Sequence, residues 1–502
     1  GLNQLFTFIS IPGPATSFVG IHYLPPGRFL RVDNAGRDAE SHIEEHTFWE
    51  IDFPDAGQED YETSQPQLVD QLEQALLNSV TSRLRADVPV AAYLSGGVDS
   101  STIVAMASQA LGRPIPSFTV RIKAPQFDES HEALVTAQHV GVDPVMVDVG
   151  PAEVLATYPE LIRVAECPVV DTACAALLLL AREVHRRGFK VALTGEGADE
   201  WLAGYPWQKV HRIFGMLTKV PGISLSQRAR RLVRQLSGLS EVDADYMRRS
   251  ERTVGGHNAW HDIHNLMSMA KTWFYSDAMR AALADHVPYE DLQMPTSRMG
   301  RWHPLNRELA VSARVHLAGL LLNSKGDRVA MNSAVETRYP FLDEEVFDLL
   351  AKLPPQWKQP GLTKDKRILR TVAQSWLPQE VAWRRKAQFR APLDCFHLHD
   401  APAYVDQLLS PESLTRAGYF DPVAVSQWRD RLPQMNRLGL ARTAVEMGLA
   451  GVLATQLWHH TFVESSLCEL PTHKQTMASP RSQLSRGAKA PNQLPQLPVG
   501  QV

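Results

Sequence analysis

The stretch Val90-Ala91-Ala92-Tyr93-Leu94-Ser95-Gly96-Gly97-Val98-Asp99-Ser100-Ser101 decides the fold. An apolar run, Val88 to Leu94, meets a Gly-Gly turn, and helical spacing follows from Ser101 to Leu111. The unit therefore reads as buried strand, tight loop and helix. Two glycines allow close approach of the backbone to an anion and positive φ. The N–H groups that open the helix, with the hydroxyls of Ser95, Ser100 and Ser101, would surround a phosphate with donors. Asp99 repels phosphate unless a cation intervenes. Magnesium, held by one or two carboxylates plus phosphate oxygens, answers that need. The Walker A spacing with its lysine is missing, and no GxGxxG follows the strand.

Outward from this loop, helices and strands alternate. A helical pattern (Leu68, Leu72, Ala75, Leu76, Val80, Leu84) precedes it. Strands at Ile115–Ile122, Val145–Val149 and Lys190–Leu193 and helices at Glu129–Val140 and Ala173–Arg187 follow. Such alternation predicts a parallel sheet with helices on its faces and a ligand at the carboxyl ends of the strands. The last strand runs into Thr194-Gly195-Glu196-Gly197-Ala198-Asp199-Glu200, with three carboxylates within five residues. Carboxylates this close repel unless metals or cationic ligands bind them or one is protonated. Two such loops at neighbouring strand ends read as a magnesium–nucleotide site with a spare base.

From Leu202 to Val463 the pattern is helical with little strand signal. Residues Gly1 to Asp52 read as short strands and turns, too few for an independent core, so the chain reads as beginning inside a domain. The polar, acidic stretch 53–66 reads as a linker, and the aromatic-free, proline-rich tail 464–502 as disordered. The formal net charge of −4 argues against a dedicated nucleic-acid binder. No apolar stretch approaches the ~20 residues of a membrane span, and no secretory signal opens the chain. Four cysteines without a CxxC pair point to a reducing cytosol.

With both loops in view, the sequence resembles the asparagine synthetases of the glutamine-hydrolysing type. SGGVDSS at 95–101 and TGEGADE at 194–200 are similar to that family's ATP loop and its partner loop. The resemblance continues through Phe127-Asp128-Glu129-Ser130, Gly326-Asp327-Arg328 and Glu336-Thr337-Arg338-Tyr339-Pro340-Phe341-Leu342-Asp343. Lys366-Arg367-Ile368-Leu369-Arg370 and Trp383-Arg384-Arg385-Lys386-Ala387-Gln388-Phe389 complete it, in the family's order. It implies an α/β fold: a parallel-sheet, ATP pyrophosphatase-type (adenine nucleotide α-hydrolase-like) ligase domain over 67–463 with a largely helical C-terminal part. Gly13–Val32 and Phe48–Asp52 resemble the end of the family's glutaminase domain, so 1–52 is expected to be a C-terminal remnant of it. The family's nucleophilic cysteine is N-terminal, whereas the first cysteine here is Cys167. Glutamine hydrolysis by this polypeptide alone is therefore not expected.

The activity so implied is an ATP-dependent conversion of aspartate to asparagine through a β-aspartyl-adenylate, with nitrogen from ammonia or glutamine. By the resemblance, Ser95, Gly96, Gly97 and Ser100 grip pyrophosphate, and Asp99 and Asp199 match magnesium-linked aspartates. Tyr93, Val120, Thr194 and Gly195 match positions lining the adenosine. Glu196 matches the proposed general base, and Lys386 a lysine proposed to stabilise charge at the α-phosphate. Read without the resemblance, Lys386 is as readily a surface cation beside Arg384 and Arg385. Arg338 and Asp343 are expected to buttress the cleft through a buried ion pair. His257, His261 and His264 share helical spacing, but no carboxylate pattern supports a metal there.

Three other readings stand beside this one. Phe389-Arg390-Ala391-Pro392 departs from the commonest biosynthetic form and points to an amidotransferase acting on another carboxylate in polysaccharide or secondary-metabolite synthesis. A non-catalytic binding relative would have no need of Asp99, Glu196, Asp199 and Lys386. A tRNA-modifying enzyme sharing the loop is disfavoured by the charge. Expected partners are small molecules, with no nucleic acid and no membrane; a homodimer is compatible with the resemblance.

Overall fold

The computed structural model describes residues 1–33, 42–124, 126–216, 243–264, 271, 273–361, 364–385, 389–397, 401–436 and 439–464. Within them, β1 (Arg28–Asp33) and β2 (His42–Thr47) pair as an antiparallel hairpin. β3 (Val90–Tyr93), β4 (Ser117–Ile122), β5 (Val145–Val149), β6 (Val191–Leu193) and β7 (Glu336–Arg338) form one parallel sheet in the order β5-β4-β3-β6-β7. Ala92 sits in register with Ser117 on one side and Leu193 on the other, so β3 is the centre.

The helices near the sheet are α1 (Leu2–Phe8), α2 (Gln65–Arg83), α3 (Val98–Leu111), α4 (Ser130–Val140), α5 (Pro151–Ala165), α6 (Ala173–Arg186) and α7 (Ala198–Leu202). Leu68, Leu72, Leu76 and Val80 line one stripe of α2 and join Ile103 and Val104 of α3 and Ala133 of α4 in one core. On the opposite face, Leu180, Ala181 and Val184 of α6 pack on Ala91, Phe118 and Ala192. Right-handed crossovers require this division. The chain steps outward through β3, β4 and β5, then returns past β3 to β6 and β7. Where the direction reverses, between β3 and β6, a crevice opens at the carboxyl ends of the strands.

The α/β fold expected from the sequence is therefore the one observed. Beyond residue 202 the described structure is mainly helical, including a wide π-helical stretch, Ala313–Asp327, with β7 as the exception. No described helix is long and apolar enough to cross a membrane. Cys167, Cys174 and Cys395 are buried free thiols, while Cys468 and the tail 465–502 lie outside the described residues.

One expectation needs correction. The chain opens with a helix, not a strand: residues Asn3 to Phe8 of α1 are all buried. Phe6 packs edge-on to Tyr275, with ring centroids 5.4 Å apart, and Phe8 to Tyr289 at 4.9 Å. Short aromatic-rich apolar runs do not reveal their period, and tertiary burial decides between helix and strand. The stretch 53–66, read as a linker, is packed against the body of the chain. Phe53 is buried between Trp302 and Phe347, with ring centroids 5.4 and 5.8 Å away, and Glu59 is buried as well.

Candidate active site

The loop after β3 folds back on itself. Ser95 N–H donates to Ser100 Oγ at 3.0 Å, the two hydroxyls lie 2.8 Å apart, and Gly97 N–H donates to Ser95 Oγ at 3.2 Å. Gly97 is extended, so α3 begins at Val98, three residues earlier than the spacing implied. Val98, Asp99 and Ser100 thereby occupy its first turn, where backbone N–H groups have no partner within the helix.

The loop after β6 packs directly against that turn. A Cβ on Gly195 would lie 2.8 Å from Ser100 N and 3.1 Å from Asp99 C, so only glycine permits the two loops to touch. Gly197 has φ +100, a left-handed conformation that favours glycine, and starts α7. Glu200 turns inward, accepting Gly197 N–H at 3.1 Å and the Tyr205 hydroxyl. Burial and the neighbouring Asp199 charge push its carboxyl up to about 7. Of the three clustered carboxylates, Glu196 and Asp199 thus remain for chemistry, while Glu200 serves the loop.

Tyr93, Ser95, Asp99, Ser100 and Val120 line one cavity of about 500 Å³ together with Thr194, Gly195, Glu196 and Asp199. Gly96 and Gly97 form the turn beside it: Gly96 O accepts from Arg384 Nη1 at 2.7 Å, and a side chain at Gly96 would strike that guanidinium. Arg384 also pairs with Glu132 at 2.9 Å. Lys386, two residues further on, lies outside the described residues.

Sequence reasoning missed the place of Lys366 in the site. Its ammonium, 1% exposed, lies 2.6 Å from Asp99 Oδ2 and 2.5 Å from Asp199 Oδ1. Gly204 makes room, because a Cβ there would overlap both the lysine and Asp199. No local signal marks it, since Lys366 stands beside Arg367 at the start of the helix Arg367–Ala373 like any terminal cation. Two carboxylates that converge on one cation, with Asp99 Oδ1 buried and lacking a protein hydrogen-bond partner, are a donor set suited to a hard divalent ion.

Behind Glu196 lies a chamber of about 10 Å³, bordered by Tyr93, Thr194, Glu196, Lys325 and Tyr339. Tyr93 Oη, Thr194 Oγ1 and Glu196 Oε2 are buried without a hydrogen-bond partner in the protein. Burial, then the Glu196 charge, drives the Tyr93 hydroxyl well above its usual range. Lys325 pairs with Asp171 at 2.8 Å on the cavity wall. Burial works against both charges. The pair outweighs it, holding Asp171 below and Lys325 above their ordinary values.

Arg338 and Asp343 do not form an ion pair with each other. Arg338 pairs with Glu336 and donates to the carbonyls of Arg83 and Arg85, each at 2.7 Å, while Asp343 pairs with Arg83, also at 2.7 Å. Both residues brace α2 against β7 from a half-exposed position, because each finds a closer partner on the end of α2.

This cleft lies at the reversal point of a five-stranded parallel sheet, where α/β folds take their ligands. The chain belongs to the asparagine synthase family, whose sequence profile matches residues 71–460. It is 26% identical to the protein named amidase chyE of Penicillium rubens, over 85% of this chain and 67% of that one. It is 26% identical to asparagine synthetase (glutamine-hydrolyzing) 1 of Bacillus subtilis, over 78% of this chain and 59% of that one. A putative asparagine synthetase of Mycobacterium bovis is 28% identical, over 79% and 58% of the two chains. These alignments cover only about three-fifths to two-thirds of each relative's length.

Proposed function

We propose that this chain is an ATP-dependent carbon–nitrogen ligase that activates a carboxylate as its adenylate and transfers ammonia to it, aspartate being the default acceptor. What carries the reading is the contact of Gly195 with Ser100, which gives Ser95, Asp99, Glu196 and Asp199 a shared cavity.

In the first step a carboxylate oxygen attacks the α-phosphorus of ATP, and the bond to pyrophosphate breaks. The α3 N–H groups with Ser95 and Ser100 bind the departing pyrophosphate, and Tyr93, Val120, Thr194 and Gly195 hold the adenosine. Asp99 and Asp199 would hold magnesium, which when bound neutralises charge on the phosphates. Lys366 holds both carboxylates aimed at one point. Lys386 is assigned to the α-phosphate. In the second step the ammonia nitrogen attacks the acyl carbon, AMP leaves, and Glu196 takes the proton lost by nitrogen. The chamber behind Glu196, bordered by polar atoms in want of partners, has the size of one ammonia or water molecule.

A second reading, amidation of a larger carboxylic acid, is favoured by the wall opposite the loops, which presents Val170, Phe389, Leu393, Leu440 and Met447. The relative named as an amidase fits it. Residues 1–52 are assigned to the end of a glutaminase-type domain, 53–66 to its exit segment and 67–463 to the ligase, with the cytoplasm as its compartment. The test is pyrophosphate and AMP release with ATP, ammonia and a panel of carboxylic acids. Release that requires one acid and yields its amide supports the ligase and names the acceptor. No acid-dependent pyrophosphate release, with magnesium and ammonia in excess, overturns it.

A further inference from the structure

Away from the cleft, three side chains from two parts of the chain converge. His211 lies on the helix Pro206–Met216, His257 follows the helix Ala244–Thr253, and Asp262 sits in the wide turn Trp260–His264. His211 Nδ1 is 3.0 Å from Asp262 Oδ2, and His257 Nε2 is 2.9 Å from Asp262 Oδ1. The three donor atoms lie within 4.8 Å of one another. Helical spacing groups His257 with His261, and their rings do meet, with centroids 5.1 Å apart, but His261 also stacks on Tyr289 at 4.7 Å and is not one of the three converging donors.

The charge arrangement needs a cation. His257 Nδ1 faces Glu251 Oε1 at 2.7 Å while its Nε2 faces Asp262. A neutral imidazole donates from only one nitrogen, so the other would direct a lone pair at a carboxylate. His211 turns a ring nitrogen on the same carboxylate. Either the His257 ring carries an extra proton or one divalent ion sits among the three. The two rings reach different oxygens of Asp262, and the three donor atoms, one from each residue, lie within 4.8 Å of one another, a spread that a four-coordinate ion with bonds of ~2.0–2.1 Å can draw together. Glu251 supplies what a metal-binding histidine requires, a carboxylate on its second nitrogen that fixes the tautomer. Side-chain exposures of 12% for His211, 3% for Asp262 and 20% for His257 leave an edge through which an ion can enter.

We propose that His211, His257 and Asp262, oriented by Glu251, bind one divalent transition-metal ion, zinc by the chemistry of two imidazoles and a carboxylate. The ion would tie the turn at Asp262 to the helix whose first residues adjoin the cleft. Trp207 on that helix stacks on Tyr205 at 4.2 Å, and both line the cavity.

The test uses the full chain, stripped with chelator and reloaded with Zn²⁺ or Co²⁺ at neutral pH. One equivalent of zinc by elemental analysis, and the visible bands that Co²⁺ shows in four- or five-coordinate sites but not as the aqua ion, are expected. The double substitution His211→Ala and His257→Ala should abolish both signals. Glu251→Gln, milder to the fold, should weaken binding by about 10–100-fold. Failure to take up either metal, with thermal stability that declines as pH rises through the histidine range, marks a cluster held by protons and overturns the proposal. Stoichiometric binding that survives unchanged in Glu251→Gln and in a folded double variant overturns it equally.

Discussion

Lys366 Nζ lies 2.5 Å from Asp199 Oδ1 in a setting where the lysine side chain is only 1% exposed. The same ammonium reaches Asp99, so one cation from the helical half of the chain joins both loops of the sheet. Replacing Lys366 by Met leaves two facing carboxylates without it. Breaking a buried pair from one side costs about 3–5 kcal/mol. The urea midpoint of Lys366→Met should fall accordingly at unchanged slope. An unaltered midpoint would mean that the pair contributes nothing to the fold.

Gly195→Ala places a methyl 2.8 Å from Ser100 N, closer than Cβ atoms approach backbone. The loops must part, at a cost of about 1–3 kcal/mol typical of overpacking. Nucleotide affinity should drop by at least about tenfold, as donors separated by that shift no longer converge. Titration with ATP and magnesium, beside a thermal melt, reads both quantities. Wild-type affinity in the alanine variant would show that loop contact is unimportant for binding.

Glu196→Gln separates the two half-reactions of the proposed ligase. Glutamine keeps the size of the side chain but cannot take a proton, so acid-dependent pyrophosphate exchange should persist while amide formation falls by about 10²–10⁴-fold. Equal loss of both would assign Glu196 to adenylation instead.

Glu308 is fully buried, accepting Ala259 N–H at 2.8 Å and the Ser312 hydroxyl at 3.0 Å. Burial pushes its carboxyl up to about 8 from 4.5. Between those values the folded chain holds a proton that the unfolded chain has released. This stabilisation is complete below about pH 4.5 and is lost as pH rises toward 8. Glu308→Gln should flatten the decline by on the order of a few kcal/mol, since each tenfold gain in proton affinity on folding is worth about 1.36 kcal/mol. Parallel stability–pH curves for the two proteins would contradict the assignment.

Phe6 has no exposed surface and packs on Tyr275 and Phe420, while a side chain on Gly451 would meet its ring at 2.8 Å. Phe6→Ala should cost about 3–5 kcal/mol. A loss below about 0.5 kcal/mol, the level of ordinary surface substitutions, would place α1 outside the cooperative unit.

The loop at Ser95–Ser101 was legible because its chemistry is local: a buried strand, two glycines and an acid in sequence order. Tyr93, Val120 and Glu196 were singled out through the family resemblance, and all three line the same cavity. The role of Lys366 was not legible, since its partners lie 167 and 267 positions away and nothing local marks a lysine as buried. β7 escaped because Glu336-Thr337-Arg338 is short and charged, as an edge strand can be. Arg384 read as one of several surface cations until the fold brought it to Gly96. Helical spacing linked His257 to His261, whereas His211, which shares the Asp262 carboxylate with it, arrives from another helix that no local pattern connects to it.

The first helix also sets a limit on trimming this chain. Phe8 belongs to the core beneath α2 and α3, whereas Leu5 and Phe6 belong to the one around α5 and the final helix, Leu440–Phe462. A shortened recombinant version that starts where the family match begins would lose plugs from both halves at once, leaving greasy holes that invite aggregation. Expression boundaries drawn from sequence similarity would thus cut through the molecule's keystone.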